Sequence, residues 1–227
     1  MQFPQRQYCL DGSNSGCVII NTSILLWTIV GREKHMKILL LMANGVEMLE
    51  ASAFIDVFGW YRTYGDGDIE VITCGLEKKI VTTFNIPLEV DMCVDKVKAE
   101  DYDALAIPGG FGTYGFYEDA YSEPVQNLIS TFHTAHKWIA SICVGALPIG
   151  KSGILKGRKA TTYHLMDKRR QAQLAAFDVE IIDAPVVVDD KIITSWCPST
   201  AVEVAFELLQ QLAGETAASS IRYLMGF

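Results

Sequence analysis

The sequence is constrained most strongly by short, largely apolar runs that alternate with longer segments of helical periodicity. The first run is KILLLMA (37–43), and similar runs follow at residues 69–75, 104–110 and 138–143. A continuous apolar run predicts a strand that is buried on both faces, which is typical of parallel sheets covered by helices. We therefore expect a parallel sheet at the centre of the fold.

The segments between these runs have the spacing of amphipathic helices. Residues 47–64 place an apolar stripe on one helical face, formed by Leu49, Ala53, Phe54, Val57, Phe58 and Tyr61. Other elements are predicted as follows: helices over residues 121–136, 166–177 and 198–214, a short helix after Cys143, strands over residues 160–164 and 179–195, and an irregular or hairpin insertion over residues 80–90. This alternation predicts an α/β fold of the flavodoxin-like, doubly wound class, with a mostly parallel sheet and helices on both faces.

The N-terminal segment reads differently from the rest of the chain. Residues 1–35 are predicted to be an extension outside the fold, because Met36 directly precedes the first strand. Their apolar run, residues 17–30, is shorter than the roughly 20 residues that span a membrane, and no small-x-small cleavage site follows it. A membrane anchor is the alternative. The domain is predicted over residues 36–214, and residues 215–227 are predicted to be a tail, either a loose end or an interface arm.

Charge and cysteine usage restrict the partners of the protein. The formal net charge is −8, and an acidic protein repels phosphate, so nucleic acid is not expected as a partner. The basic clusters at residues 156–159 and 168–170 are predicted to be solvated loop and helix faces. None of the six cysteines lies in a C-x-x-C pair, so neither a metal site nor a redox dithiol is predicted. We expect a cytoplasmic protein with reduced thiols, no cofactor and no membrane partner.

Cys143 stands where the run at residues 138–143 gives way to small residues. Ser141 lies two positions before it and Gly145 two positions after it. Small flanking residues permit the sharp turn of a nucleophile elbow, in which the amides of the following helix face the nucleophile. Those amides and the positive end of the helix dipole favour the thiolate over the thiol. The alternative is a buried core cysteine without a chemical role.

Further features fall at strand ends, where open α/β sheets bind their ligands. The glycines of PGGFG (108–112) let a substrate approach the backbone, and their amides, with that of Val144, can hold a developing oxyanion. Glu50 lies one turn into the first predicted helix, on the side of the strand ends. The alternatives are an ordinary glycine-rich turn and a solvated carboxylate. Cys197 precedes the last predicted helix, as either a resolving thiol or a loop residue without a role.

Four segments of the chain, taken in order, resemble the ThiJ/PfpI superfamily. This is the class I glutamine amidotransferase-like group that includes the parkinsonism-associated protein deglycase. The four segments are MKILLLMANGVEMLEASAFIDVF, DYDALAIPGG, WIASICVGALPIGKSGILKGRKATTYHL and VVVDDKIITSWCPSTAVEVAFELL. The resemblance covers roughly residues 36–214.

The resemblance implies roles for individual residues. Cys143 would be the reactive elbow cysteine, and Glu50 its acidic partner, with a raised pKa and a proton to donate to the sulfur. The backbone amides of Gly110 and Val144 would bind the oxyanion. Members of the group are commonly dimers, so a homodimer is expected, with the first helix, which bears Asp56, contributing to the contact.

The chain departs from the pattern of the superfamily at its histidines. Many hydrolytic members carry a histidine directly after the cysteine, whereas this chain has Val144. Another histidine of the superfamily follows a pair of threonines, but here Tyr163 follows the pair at residues 161–162 and His164 comes one position later. His164 is our candidate base. The alternative is a strand-end histidine that makes a structural bond.

Two functions are open on this reading. The first is a cysteine-dependent hydrolase or lyase that acts on small reactive carbonyl or C–N substrates, in a glyoxalase-like or deglycase-like reaction. The second is a non-catalytic redox sensor or protective chaperone, whose cysteine oxidises to the sulfinate. An amidotransferase subunit is disfavoured, because the H-x-E pair of that class is missing from ITSWCPSTAVE (193–203).

Overall fold

The computed structural model of this chain describes residues 35–227. Its strands are β1 (Met36–Leu41), β2 (Ile69–Gly75), β3 (Lys79–Val81), β4 (Pro87–Glu89), β5 (Met92–Cys93), β6 (Ala104–Ile107), β7 (Trp138–Ser141), β8 (Lys159–Ala160), β9 (Glu180–Ile181), β10 (Val186–Asp189) and β11 (Ile192–Ser195). Its α-helices are α1 (Met48–Tyr64), α2 (Phe116–Ala120), α3 (Glu123–Thr134), α4 (Ala146–Lys151), α5 (Arg169–Ala175), α6 (Ala201–Ala213) and α7 (Glu215–Met225). The predicted N-terminal extension, residues 1–35, lies outside the described residues except for His35.

The central sheet has seven strands, in the order β10-β11-β7-β6-β1-β2-β5. Neighbouring strands are parallel except for β10 and β11, which form an antiparallel hairpin. The chain runs outward from β1 to β2 and β5, and then continues with β6 on the other side of β1. The prediction of a doubly wound, mostly parallel sheet is therefore confirmed, and its topological switch point lies between β1 and β6.

Helices cover the sheet and bury its strands. α1, α6 and α7 pack on one another, with α1 against β2 and with α6 against β7 and β11. α3 packs on β6, β7 and α4, and α4 packs on α5. Ile38, Leu39 and Leu40 of β1 are completely buried, and burying such a side chain contributes roughly 1.5–3 kcal/mol. This packing explains why the apolar run of β1 is continuous.

Two elements are considerably shorter than the sequence predicts. The strand predicted over residues 160–164 is limited to β8, and the helix predicted over residues 166–177 is limited to α5. Residues 166–168 have φ angles of 55°, 58° and 58°, a left-handed backbone that is incompatible with an α-helix of L-residues. The left-handed segment therefore delays the start of α5 to Arg169.

The C-terminal residues form part of the domain. Residues 215–227 were expected to be a loose end or an interface arm, but Glu215–Met225 form helix α7, which packs on α1 and α6. Ala218 and Ile221 are buried in that contact. The predicted domain end at residue 214 is thus corrected, because the apolar face of α7 completes the core beside α6. Among residues 35–227, no helix combines the length and the apolarity that a membrane crossing requires.

The contribution of α7 can be tested with one buried and one exposed position. Ile221→Ala is expected to lower the free energy of unfolding by about 2–5 kcal/mol, because it leaves a cavity between α7 and the core. Tyr223→Ala, on the same helix at a position that is 82% exposed, is the matched control and should change it by less than about 0.5 kcal/mol. Urea denaturation measures both values. Equal values for Ile221→Ala and the wild type would contradict the packing of α7.

Candidate active site

Three candidate groups converge at the carboxyl ends of β1, β6 and β7. Glu50 lies in the first turn of α1, which follows β1. Gly109 and Gly110 follow β6, and Cys143 follows β7. Because these strands are parallel neighbours around the switch point, their carboxyl ends meet at one edge of the sheet.

Cys143 lies on a sharp turn between β7 and α4. Its φ angle is +56°, in the left-handed region that non-glycine residues rarely adopt, and this strain is typical of functional sites. The Thr162 hydroxyl donates a hydrogen bond of 2.7 Å to the Cys143 carbonyl oxygen. A Cβ atom at position 145 would collide with the Ile107 carbonyl oxygen. Gly145 is therefore required for the turn to pack against β6, as the spacing of the sequence predicts.

The glycines after β6 permit a similarly close approach. A Cβ atom at Gly110 would collide with the carbonyl oxygen of Gly45, and one at Gly109 would lie 2.9 Å from Glu50 Oε2 and 3.0 Å from the Val144 nitrogen. Any larger residue at these positions would separate the loop after β6 from the cysteine turn. The absence of side chains here holds the carboxyl group of Glu50 and the backbone of Val144 together.

Glu50 is completely buried. Its Oε2 accepts a hydrogen bond of 2.5 Å from the Gly109 N–H, whereas its buried Oε1 has no hydrogen-bond partner among the described residues. Burial raises the pKa of Glu50 from 4.5 to about 8, although the Gly109 N–H and the nearby Cys143 side chain lower it. Glu50 is thus mainly protonated at neutral pH.

The Cys143 thiol does not have the lowered pKa that the sequence suggested. Burial, followed by the charge on Glu50, raises the pKa of Cys143 well above its usual range. The hydrogen bond from the Val144 N–H has the opposite effect on this pKa, but it is the weaker influence. The expectation that the turn keeps the sulfur ionised at neutral pH is therefore wrong, because the elbow is buried and an acidic group lies beside it.

Two backbone amides lie beside this pair. The Val144 N–H donates to the Cys143 side chain. The Phe111 N–H donates to the Gly45 carbonyl oxygen at 3.0 Å, whereas the Gly110 N–H has no acceptor among residues 35–227. Gly110 and Val144 both line one cavity.

The cavity has a volume of about 840 Å³ and is lined in part by Glu50, Gly110, Cys143 and Val144. Four of the five predicted site residues thus line the same cavity. Cys197 also lines the cavity, and its charge contributes to the raised pKa of Cys143. Its sulfur lies 3.1 Å from the hydroxyl oxygen of Ser199. The volume is within the usual range for small-molecule sites.

His164 is the one predicted site residue that the structure does not bring to the cavity. Its ring stacks on Trp196 with a centroid separation of 4.1 Å, and its buried Nδ1 has no hydrogen-bond partner among the described residues. The adjacent residues Tyr163 and Leu165 line the cavity instead. The one-residue offset after the threonine pair therefore turns His164 away, and its position does not support a role as the base.

Several lining residues were not predicted as part of the site, among them Tyr117, Arg169 and Arg170. Residues 168–170 were expected to be a solvated helix face, and Arg169 is exposed whereas Arg170 is half-buried. Tyr117 carried no sequence signal, because α2 is short and irregularly placed. Among residues 35–227, no cluster of three or more His, Cys, Asp or Glu side chains has an arrangement that could hold a metal ion.

Comparison with known proteins identifies the family. A family model described as the DJ-1/PfpI family matches residues 36–211. This chain belongs to the DJ-1/PfpI family. Within the family, Deglycase PfpI of Pyrococcus furiosus is 32% identical over 165 residues, which cover 72% of this chain and 91% of that protein. Protein DJ-1 homolog B of Arabidopsis thaliana is 30% identical over 179 residues, which cover 78% of this chain and 38% of that protein.

The chain therefore spans less than half of that Arabidopsis relative. Among solved structures of DJ-1 proteins, Drosophila melanogaster DJ-1beta gives a TM-score of 0.73 at 25% identity, covering 85% of this chain and 98% of the other. Schizosaccharomyces pombe DJ-1 gives a TM-score of 0.72 at 22% identity, covering 85% and 100%, and this second likeness concerns the fold alone. The resemblance seen in the four sequence segments is confirmed.

The raised pKa of Cys143 predicts a steep pH dependence of its alkylation. Because the thiolate is the nucleophile, the rate with iodoacetamide should rise more than about tenfold between about pH 6 and pH 8, without reaching a plateau. Peptide mass spectrometry separates Cys143 from the other free cysteines of the described residues, Cys74, Cys93 and Cys197. A flat rate across this range would mean that the sulfur is already ionised at neutral pH.

The raised pKa of Glu50 predicts that Glu50→Gln becomes more stable than the wild type as the pH rises. Between the unfolded pKa of about 4.3 and the folded pKa of about 8, folding takes up a proton, so the wild type loses stability with rising pH. Below this window Glu50 causes no such loss. The glutamine has no proton to lose and keeps an acceptor for the Gly109 N–H. Near pH 8 the free energy of unfolding of Glu50→Gln should therefore exceed that of the wild type by on the order of 4 kcal/mol.

Urea denaturation at several pH values between about 5 and 8 measures this difference. Glu118→Gln, which replaces an exposed carboxyl group on α2, controls for the loss of one carboxyl group. A stability difference between Glu50→Gln and the wild type that does not change with pH would refute the protonated, buried state of Glu50.

Proposed function

We propose that this protein is a cofactor-independent cysteine hydrolase or lyase that acts on small reactive carbonyl compounds. The observation that carries the proposal is the buried pair of Glu50 and Cys143, placed at one cavity with the amides of Gly110 and Val144. Relatives named deglycases at about 30% identity support this class of reaction. The class fits a thiol nucleophile with an adjacent proton carrier.

The first step is the attack of the Cys143 sulfur on an aldehyde carbon. An S–C bond forms, the π electron pair of the carbonyl moves to its oxygen, and the thiol proton passes to the ionised fraction of Glu50. The N–H groups of Gly110 and Val144 stabilise the developing oxyanion. A pKa of about 8 suits this exchange, because a general acid–base works best when its pKa lies near the working pH.

The second step converts the hemithioacetal of a 2-oxoaldehyde into a thioester. Glu50 first returns the thiol proton to the hemithioacetal oxygen and so becomes a carboxylate again. It then removes the proton from the former aldehyde carbon and delivers it to the neighbouring carbon, while the hydroxyl proton moves from the first oxygen to the second, so that one carbon is oxidised and the other reduced within the same molecule. Water then hydrolyses the thioester and releases a 2-hydroxy acid and the free thiol. No external oxidant or cofactor takes part, and Glu50 carries every proton that His164 was expected to carry.

A redox sensor is the second candidate. It is favoured by one observation: none of the four histidines of the chain lines the cavity, so the cysteine has no histidine base beside it. A protonated carboxyl group and two amides would also stabilise a cysteine sulfinate by hydrogen bonding.

Methylglyoxal without glutathione separates the two candidates. The wild type should form lactate, and Cys143→Ser should lose at least about 100-fold of that rate. Cys93→Ser, at a free cysteine on the edge strand β5, is the matched control and should retain turnover. If the wild type forms no lactate and peroxide adds two oxygens to Cys143, as detected by mass spectrometry, the enzyme hypothesis is rejected in favour of the redox sensor.

The oligomeric state and the location complete the proposal. The protein forms a homodimer through the exposed side of α1, which presents Ile55, Asp56 and Trp60 beside one another. Light scattering after size-exclusion chromatography should give twice the chain mass of 25.1 kDa, and Trp60→Glu should shift the protein towards the monomer. A cytoplasmic location suits the free cysteines of the described residues.

A further inference from the structure

Two arginines face the same cavity as the reactive pair. The chain has a net charge of −8, yet Arg169 and Arg170 both line the cavity that contains Cys143. Neither arginine forms an ion pair with any residue in the range 35–227, whereas the neighbouring Lys168 pairs with Asp183 at 3.2 Å. Arg169 is exposed and Arg170 is half-buried, so the charge that is partly withdrawn from water without a carboxylate partner is chiefly that of Arg170.

The backbone and a ring contact fix the position of these arginines. The left-handed segment at residues 166–168 delays the start of α5, so that both arginines lie at the first two positions of the helix. The guanidinium group of Arg170 lies over the Tyr117 ring at 5.0 Å and donates a hydrogen bond of 2.8 Å to Gln173 Oε1. Arg170 is therefore held in place without losing its charge.

Tyr117 connects the arginines with the reactive pair. Its buried hydroxyl group has no hydrogen-bond partner among the described residues, although the side chain lines the cavity. Burial raises the pKa of Tyr117 to about 12, while the nearby charges of Arg170 and Arg169 lower it and that of Cys143 raises it. The phenol is thus a neutral donor close to both arginines and to the sulfur, and buried donors are normally paired.

The acidic residues of the cavity do not cancel the two arginines. Glu50 is mainly protonated at neutral pH because its pKa is about 8. Glu47 also lines the cavity, and its Oε1 accepts a hydrogen bond from the Leu49 N–H at the start of α1. One carboxylate, engaged with a helix terminus, therefore stands against two guanidinium groups, and the cavity has an excess of positive charge.

We propose that the substrate is an anionic carbonyl compound, whose carboxylate or phosphate group binds Arg169 and Arg170 while its carbonyl carbon meets Cys143. This inference rests on the proposed function and names its substrate class. Guanidinium groups bind both oxyanions with paired N–H···O bonds, and the Tyr117 hydroxyl supplies a further donor. Binding of an aldehyde forms the S–C bond and transfers the thiol proton to the carbonyl oxygen, without any redox change.

Charge-selective alkylation tests the anion site without requiring turnover. Iodoacetate and iodoacetamide both transfer their carbon to the Cys143 sulfur and release iodide, the thiol proton passing to solvent, but only iodoacetate carries a carboxylate. The rate with iodoacetate divided by the rate with iodoacetamide, both measured at Cys143 by peptide mass spectrometry, isolates the effect of the reagent's charge. We expect this ratio to fall on the order of tenfold in the double variant Arg169→Gln/Arg170→Gln, and to fall in the wild type as salt is added.

Lys168→Gln is the matched control for each single variant, Arg169→Gln or Arg170→Gln, because it removes one positive charge from the adjacent position, which does not line the cavity. Its ratio should equal that of the wild type. The inference is overturned if the double variant keeps the wild-type ratio, or if Lys168→Gln lowers the ratio as much as either single variant does. Thermal melting of each variant shows that the fold is retained.

Protection of Cys143 against iodoacetamide identifies the anion. Glyoxylate and glyceraldehyde 3-phosphate are compared with neutral glyoxal. Protection at the lowest concentration by glyoxylate indicates that the site binds a carboxylate, and protection at the lowest concentration by glyceraldehyde 3-phosphate indicates that it binds a phosphate. This advantage should disappear in the double variant, and no advantage of either anion over glyoxal would overturn the inference. Charge selectivity in a protein that turns over neither methylglyoxal nor the anionic aldehyde that protects best would support the anion site and contradict the proposed reaction. Turnover without charge selectivity would support the reaction and contradict the anion site.

Discussion

The site depends on one buried carboxyl group. Glu50 has no contact with solvent, and the hydrogen bond from Gly109 N–H to its Oε2 connects the start of α1 to the end of β6. Transferring an ionised carboxylate from water to such a position is strongly unfavourable, so the group keeps its proton to a higher pH. The protonated state of the carboxyl group beside the Cys143 sulfur is therefore a consequence of packing, because burial favours the neutral form.

The same burial determines how the cysteine can react. The turn at Cys143 has the strained left-handed backbone and the adjacent Val144 amide of a nucleophile elbow, and both features are associated with activated thiols. Burial and the neighbouring carboxyl group act more strongly in the opposite direction. The thiol is thus protonated until a base accepts its proton. Because Glu50 and Cys143 interact directly, the two groups titrate as a coupled pair.

Much of the fold could be predicted because strand and helix periods follow local burial. The continuous apolar run of β1 and the stripe on α1 predicted buried strands and covering helices, and the doubly wound sheet was confirmed. The errors occurred where local patterns are weak. The helical pattern of residues 166–177 gave no sign of the left-handed backbone at residues 166–168, and the amphipathic face of α7 was not distinguishable from an interface arm without its partner α6.

The sequence by itself determined the chemical groups that are available: the cysteine between small residues, the glutamate one turn into α1, and the glycines after β6. It determined these because the spacing of each group relative to its own strand is a local property. Only the tertiary structure decided that Arg169, Arg170 and Tyr117 share the cavity of Cys143, that His164 turns towards Trp196, and that the thiol is protonated. These features depend on burial and on contacts between segments that are distant in the chain, and no local spacing contains that information.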